Sequence, residues 1–377
     1  MREYIKLCDV CDFQGGSQPP KDEWSFDFKA GYIRMLQIRD FTQSERVAPE
    51  YIKITKTTRT CEADDILIAR YGASLGKILT GLAGAYNVAI MRTIPDTNIL
   101  EKKYLYYYLK SPVFQGFLLN VGSRAAQAGF NKNDLQDLFI PNITRNEQVE
   151  IVGILERVET VIESRQKELQ KLDDLIKARF IEMFGRPFIN NLNWESKQIK
   201  NVVNEVKYGT SKPSVENGEY KYLRMNNLTY DGRFDLTDLK FISLDNDELE
   251  KCVVRKGDVL FNRTNSLDLI GKTADFDFDE DMVIAGYIIR IRLKETIVPK
   301  FFSMYMNTDE VKLHLRTIAK GAVNQANINA QELQGIPIYI PPIELQKQFA
   351  DFVKQVDKSR FDIKKSIIEL EREVVYD

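Results

Sequence analysis

Three pairs of short loops hold the residues best suited to meet a ligand. The first pair is Gly15-Gly16-Ser17-Gln18-Pro19 and Gly209-Thr210-Ser211-Lys212-Pro213. The second is Arg70-Tyr71-Gly72-Ala73-Ser74 and Arg263-Thr264-Asn265-Ser266, each followed by a Gly-Lys step at Lys77 and Lys272. The third is Gly122-Ser123-Arg124-Ala125-Ala126-Gln127 and Gly321-Ala322-Val323-Asn324-Gln325. Glycine lets a backbone approach a ligand closely, while Ser, Thr, Asn, Gln, Arg and Lys supply the donors that meet phosphates and base edges. Ordinary turn chemistry accounts for any one of these loops. Their recurrence as three matched pairs favours binding.

Other constellations imitate catalysis without completing it. Gly72-Ala73-Ser74-Leu75-Gly76-Lys77 is one residue short of a phosphate loop, and Ile78 stands where Ser or Thr is needed. Pro95-Asp96 with Glu101-Lys102-Lys103 resembles a nuclease metal cluster, but its spacing is too tight for a strand pair to present. Cys8 and Cys11 make half a zinc or redox site, with Val202 and Glu205 at the matching later positions and no second pair. His314 is the only histidine, and no Gly-rich cofactor loop or Asn/Asp-Pro-Pro-aromatic tetrad of an amino-methyltransferase occurs. No catalytic residue, metal ligand or bound cofactor is therefore expected in this chain. A reading as a stand-alone nuclease with a hidden metal site remains as an alternative.

These loops sit on a chain that is written twice. Gln127-Ala128, Asn131, Leu135-Gln136 and Ile140 recur about 198 residues later as Gln325-Ala326, Asn329, Leu333-Gln334 and Ile338. Upstream, Asp65-Ile66-Leu67 with Arg70 matches Asp258-Val259-Leu260 with Arg263. A repeat of that length is a duplicated domain rather than a solenoid unit. Short β-like runs are expected at 32–38, 66–70 and 87–93, then at 220–225, 258–263 and 283–293. An aromatic helical stretch follows in each half, at 103–109 and 300–306, with its apolar residues assigned to core. The expected fold class is α+β: duplicated globular domains at 1–145 and 187–340, and long helices at 146–186 and 341–377.

The helices are the strongest periodic signal. Ile151, Leu155, Val158, Ile162, Arg165, Leu169, Leu172 and Ile176 step by alternating fours and threes, a heptad seam. Thr144 with Glu147 predicts a capping box, and Gly185 before Pro187 predicts the stop. The rod between them is on the order of 58 Å long. Phe349, Val353, Val356, Arg360, Ile363, Ile367, Leu370 and Val374 form the second seam, opened by Pro341-Pro342. Two equivalent stripes in one chain are expected to pack on each other, rather than each covering only its own domain. Each seam carries one arginine, a device for fixing register unless the side chain snorkels to solvent. A coiled-coil adaptor that binds only proteins is the second alternative.

Composition adds limits. The 377 residues hold 53 Lys+Arg against 55 Asp+Glu, a net charge of −2, with none of the basic surplus of a lone DNA binder. Any nucleic-acid face must come from local clustering or from a partner. Four cysteines and no recognisable secretory leader lead us to expect reduced thiols in the cytoplasm. No apolar run reaches membrane-spanning length.

Taken together, the chain resembles the specificity subunit of type I restriction–modification systems over essentially its whole length. The transitions into the helices carry the likeness most clearly: Ile140-Pro141 leading to Glu147-Gln148, and Ile340-Pro341-Pro342 leading to Gln346. Asp65-Ile66-Leu67, its duplicate, and Phe184-Gly185-Arg186-Pro187 before Trp194 add support. The second helix departs from the family's Glu-Gln pair, having Leu345-Gln346. The resemblance implies that each half reads one part of a split, asymmetric double-stranded DNA site. It implies that the helices pair as an antiparallel coiled coil, set the spacing and dock two modification subunits, with restriction subunits further out. S-adenosylmethionine would belong to the modification subunits, and ATP and Mg to the restriction subunits. The candidate DNA-binding residues are Ser17, Gln18, Arg70, Tyr71, Lys77, Arg124 and Gln127, then Thr210, Ser211, Lys212, Arg263, Asn265, Lys272, Asn324 and Gln325.

Overall fold

A computed structural model describes residues 3–376 except 45, 123–128 and 323–324; side chains of 122, 322 and 373–376 are also outside the description. The chain divides into two compact units, 1–164 with 366–377, and 165–365.

The duplication expected from sequence appears strand for strand. In the first unit a four-stranded sheet has the order Cys11–Gly15, Ile90–Pro95, Leu67–Ala69, Ile78–Leu79, antiparallel throughout. A second sheet runs Glu50–Lys53, Tyr32–Leu36, Gly84–Tyr86, Thr60–Cys61, with its central pair parallel. The second unit repeats both, as Val203–Tyr208, Ile288–Leu293, Val259–Asn262, Thr273–Asp275 and as Lys240–Ile242, Tyr220–Leu223, Met282–Ile284, Val253–Val254. The run expected as one strand over 283–293 is thus two, in different sheets. The chain turns at Ala285-Gly286-Tyr287, where the Gly286 amide donates to Thr210 O at 2.7 Å.

The Asp-Ile/Val-Leu repeats prove to be scaffolding. Asp65 Oδ2 accepts the Glu62 amide at 2.9 Å and pairs with Arg92 at 2.8 Å. Asp258 Oδ2 accepts the Arg255 amide at 2.9 Å, and its other oxygen accepts from Arg292 at 3.1 Å. Each aspartate closes the turn before its strand and holds an arginine of the neighbouring strand. The aromatic helices are Lys102–Lys110 and Pro299–Met306. They bury Tyr104, Leu105, Tyr108 and Leu109, then Phe301, Phe302, Tyr305 and Met306, so their apolar periodicity builds core.

The central helix spans Arg145–Phe184 and the C-terminal helix Ile343–Tyr376. Thr144 and Glu147 form the expected capping box: the Thr144 amide donates to Glu147 Oε2 at 2.7 Å, and the Glu147 amide to Thr144 Oγ1 at 3.3 Å. Gly185, at φ +79°, takes the left-handed turn that ends the helix. Within the second unit the helices run antiparallel: Phe180 and Phe184 pack on Phe349 at 5.4 and 5.5 Å between ring centroids, while further along Arg360 donates to Leu169 O at 3.2 Å.

The seams are not purely a helix pair. Ile176, Phe349, Val353 and Val356 belong to the second domain's own core cluster, and Leu172 packs against it. Ile151 packs on the first domain's core beside Val152. The ends of the seams therefore also serve the domains they adjoin. Leu155, Val158, Ile162, Leu169, Ile363 and Leu370 are half-buried, Ile367 is buried, and the Val374 side chain lies outside the described residues. The two seam arginines differ. Arg165 reaches solvent beside Glu168 of its own helix, whereas Arg360 does not snorkel: it is 6% exposed and pairs with Asp173.

Two glutamines fasten the helix starts. Gln148 Nε2 donates to Ile99 O at 2.9 Å and Ile143 O at 3.0 Å, and its Oε1 accepts the Glu101 amide at 2.7 Å. Gln346 does the same with Thr296 O at 3.1 Å, Pro341 O at 2.8 Å and the Val298 amide at 2.8 Å. The departure at Leu345 leaves this staple intact. Among the described residues no helix is long and apolar enough to cross a membrane, and no group of three or more potential metal ligands occurs.

Candidate nucleic-acid interface

The first two polar loops of each half come together on the same backbone frame, and in the second half the described ends of the third join them. Gly16 and Gly209 each pass so close to the opposite turn that a Cβ there would lie 2.1 Å from Asn87 O or 2.2 Å from Ile284 O. Only glycine permits that approach. The amide of Gly16 donates to Ile90 O, and that of Gly209 to Ile288 O, both at 3.1 Å. Ser17 and Thr210 amides then reach Tyr86 O at 3.1 Å and Ile284 O at 2.9 Å. Arg70 and Arg263 amides reach Ala89 O and Tyr287 O, both at 2.9 Å. In the first copy Tyr71 of the second loop bridges to Gly129, and residues 123–128 of the third lie outside the described residues. In the other the second and third loops meet in a small sheet of Thr264–Asn265, Gln325–Asn327 and Lys320–Ala322.

On this common frame the side chains diverge. Arg70 is held: Nε donates to Phe130 O at 3.0 Å and Nη1 to Val88 O at 3.2 Å, and the guanidinium lies 5.0 Å from the Tyr71 ring. Gly15 leaves room for it, since a Cβ there would sit 3.2 Å from Nη1. In the second copy Tyr208 occupies the place of Gly15, and Arg263 lies over its ring at 4.7 Å. No acceptor for the Arg263 guanidinium occurs among the described residues. Tyr208, which the loop motifs did not single out, also accepts the Ala330 amide at 2.9 Å through its hydroxyl.

The remaining candidates sort by accessibility. Ser17 is half-buried and its hydroxyl accepts the Arg59 amide at 3.3 Å, while Gln18 is exposed. Tyr71 is exposed, as is Lys77, which lines an open groove of about 500 Å³ with Phe41, Lys110 and Gln115. Thr210 is 5% exposed, and its hydroxyl donates to Glu248 and accepts the Lys212 amide at 3.1 Å. Ser211 beside it is exposed. Lys212 is exposed but paired with Glu248 and with Asp245 at 3.1 Å, and these hydrogen bonds raise its pKa. Asn265 is half-buried and donates to Asn262 Oδ1 at 2.9 Å. Lys272 is half-buried, with burial pulling its pKa down, and reaches only Met225 O at 3.5 Å. Gln325 is exposed on the small sheet, and Arg124, Gln127 and Asn324 lie outside the described residues.

Beneath the second domain's loops lies a charged network that residue types alone did not reveal. Arg290 is fully buried, donating to Val253 O and Glu205, and Arg292 bridges Glu205 and Asp258 at 3.1 Å each. Burial would raise the Glu205 carboxyl, but hydrogen bonds from Lys207 and Arg290 hold it below its ordinary value. In the cysteine pair burial dominates: it pushes the Cys11 thiol up to about 12 and raises Cys8 despite the nearby Lys132, and Cys8 Sγ donates to Leu135 O at 3.5 Å. Neither favours the thiolate that binds metal or attacks disulfides. Gly72–Ser74 forms one turn of 3₁₀-helix, so the near-miss phosphate loop lacks the helix N-terminus that a phosphate needs.

This geometry can be set beside known proteins. The model of the family described as type I restriction modification DNA specificity domain matches twice, at residues 2–174 and 191–372. The putative type I restriction enzyme MjaX specificity subunit of Methanocaldococcus jannaschii is 27% identical over 179 residues. That match covers 46% of this chain and 42% of that relative, under half of its length. The MjaVIII specificity subunit of the same organism is 23% identical over 377 residues, covering 94% of this chain and 86% of the relative. The EcoKI specificity subunit of Escherichia coli is 19% identical over 331 residues, covering 81% and 69%. Among solved structures, a chain from work on complex assembly and conformational transition of the type I R-M system aligns with a TM-score of 0.62. It shares 17% identity over 99% of this chain and 94% of that one, a likeness of fold. With two such domain matches spanning most of its length, the chain belongs to the type I restriction–modification DNA specificity family, as a non-catalytic specificity subunit with two recognition domains.

Proposed function

We propose that each recognition domain reads one half of a bipartite, asymmetric DNA site, using the converging loop ends as its reading face. The observation that carries this is the pairing of an identical backbone frame with unlike side chains. Gly16 and Gly209 hold equivalent loops, yet Arg70 is tied to two carbonyls while Arg263 rests on Tyr208 with its donors free among the described residues. A frame shared by the two copies fixes position, and divergent donors change which bases are met. Arg263, Ser211, Gln325, Gln18, Tyr71 and Lys77 stand as the exposed or unpaired candidates for DNA contact. Thr210 and Arg70 shape the loops that present them.

The paired helices set the separation of the two domains and dock two modification subunits, which carry S-adenosylmethionine and the methyl-transfer chemistry. Restriction subunits, with ATP and Mg, join outside these, and the assembly works in the cytoplasm. A near-neutral chain suits that arrangement, because partner subunits closing around the duplex supply much of the phosphate contact.

Genome-wide mapping of methylated adenines in cells with and without this gene tests the reading. A split motif that disappears with the gene is expected. Exchanging the loops of one domain should alter one half of the motif and leave the other unchanged. An unsplit motif, or none in cells that hold active partner subunits, would overturn the proposal.

A further inference from the structure

Gln115 and Lys312 hold the same place in the two copies. Gln115 Nε2 donates to Gly76 O at 2.9 Å, and Lys312 Nζ donates to Gly271 O at 2.7 Å. Leu118 and Leu315 pack over the same two glycines, which fixes the correspondence. A neutral amide therefore does the structural work in the first domain, and the fold does not require a charge at that position.

The second domain nevertheless buries one. Lys312 is 3% exposed, and no carboxylate pairs with it among the described residues. An ammonium removed from water is unfavourable unless other groups offset the loss. Its neighbours offer little: the Gly271 carbonyl and the face of Tyr230, 4.7 Å away. Two more cations stand close by. Lys272 reaches only Met225 O at 3.5 Å. Arg316 is exposed and donates to the Tyr230 hydroxyl at 3.0 Å and to Asp268 O at 3.5 Å. Neither forms an ion pair with a described residue. Burial, with Lys272 and Arg316 pushing the same way, brings Lys312 down to about 7. Two cations and a buried lysine that they push toward losing its proton are thus gathered with no carboxylate partner among the described residues, an arrangement that an external anion relieves by restoring the Lys312 charge.

We propose that Lys272, Lys312, Arg316 and the Tyr230 hydroxyl form a phosphate-docking site for the DNA backbone at the second half-site, with no equivalent in the first domain. Arg316, Lys272 and Tyr230 meet the phosphate at the surface, and Lys312 supplies positive field from behind. The matching first-domain positions are Lys77, Gln115 and Leu119, so two of the three charges are absent there. The site rests on the DNA-reading function proposed above. It supplies local basic clustering that the chain's overall charge does not provide.

The test uses the full chain assembled with its modification subunits and a duplex carrying the mapped motif. Affinity is measured against salt for the parent, Lys312→Gln and Arg316→Gln. Lys312→Gln copies the hydrogen bond that Gln115 already makes, and thermal unfolding checks that it folds; Arg316 is exposed. Each variant should lose several-fold in affinity, equally on specific and unrelated duplexes, with the salt slope reduced by roughly one. One neutral methylphosphonate in the second half-site should weaken the parent but neither variant. Unchanged slopes and affinities overturn the site. So does an unchanged DNA slope where inorganic phosphate protects the parent but not the variants against unfolding, which marks a free-anion site. If the parent complex itself gains no sequence-specific binding, the DNA-reading function has failed before the variants are compared.

Discussion

Arg360 of the C-terminal helix is buried against Asp173 of the central helix, and the same Asp173 carboxylate accepts a second ion pair from Arg233 at 3.0 Å. Arg233 also reaches Asp357 at 3.3 Å and pairs with Asp231, so two cations and three carboxylates interlock. A hydrophobic seam alone tolerates sliding by a heptad, whereas a buried ion pair is satisfied in one register only. Arg165, at the equivalent of Ile363, makes only an exposed pair with Glu168.

Arg360→Ala should therefore destabilise the protein by about 2–4 kcal/mol, because it leaves Asp173 with Arg233 as its only counter-ion. Arg165→Ala should stay within about 0.5 kcal/mol of the parent. Urea unfolding of the two variants side by side measures the difference. Equal losses would remove the register role of Arg360.

Gln148 and Gln346 lock the helix starts to their domains through the same three backbone groups. Replacing Gln346 with Ala strands the Val298 amide and the carbonyls of Thr296 and Pro341, at a loss of about 3 kcal/mol. Hydrogen exchange offers a local readout. The Val298 amide should exchange faster in Gln346→Ala, and the Glu101 amide faster in Gln148→Ala, with each leaving the other site protected. Uniform acceleration in both variants would mean that the glutamines act only on global stability.

Much of this architecture is legible in the sequence itself. Heptad spacing, the Thr144–Glu147 box and Gly185 signal the central helix through local chemistry, and local chemistry is what a single sequence records. The repeated glycines likewise mark the first loops of the two halves, where Gly16 and Gly209 make equivalent close approaches. The loop side chains were less legible. Thr210 and Arg70 have the residue types of ligand contacts, but Glu248, Phe130 and Val88 approach them from far along the chain. Tyr208 and Lys312 went unmarked for the same reason. The one available signal for Lys312 was a lysine on the buried face of the amphipathic helix Asp309–Ile318.

The contrast between Arg70 and Arg263 separates positioning from reading. Arg263→Ala should weaken binding to the second half-site by about 1–3 kcal/mol while melting close to the parent, since its donors lack described acceptors. Arg70→Ala should lower stability by about 1–3 kcal/mol by stranding the carbonyls of Phe130 and Val88. Parallel melting curves and binding isotherms distinguish the two. The assignment fails if Arg70→Ala melts like the parent and Arg263→Ala does not.

Lys312 carries a pH signature of opposite sign to that of a paired lysine. Its folded pKa of about 7 lies below the ordinary 10.5, so near pH 6 both folded and unfolded chains hold the proton and the full burial penalty applies. Above pH 7 the folded state releases its proton while the unfolded chain retains it, and stability rises with pH by up to roughly 1.4 kcal/mol per unit until the unfolded lysine also titrates. The groups facing it, Lys272, Arg316 and the Tyr230 ring, supply no carboxylate to reverse that sign. Lys312→Gln should consequently be more stable than the parent at pH 6, with the gap narrowing toward pH 10. Chemical denaturation of both proteins across that range measures it. Parallel stability profiles would mean that Lys312 keeps its proton at an ordinary pKa, and that the cations around it are better solvated than their burial implies.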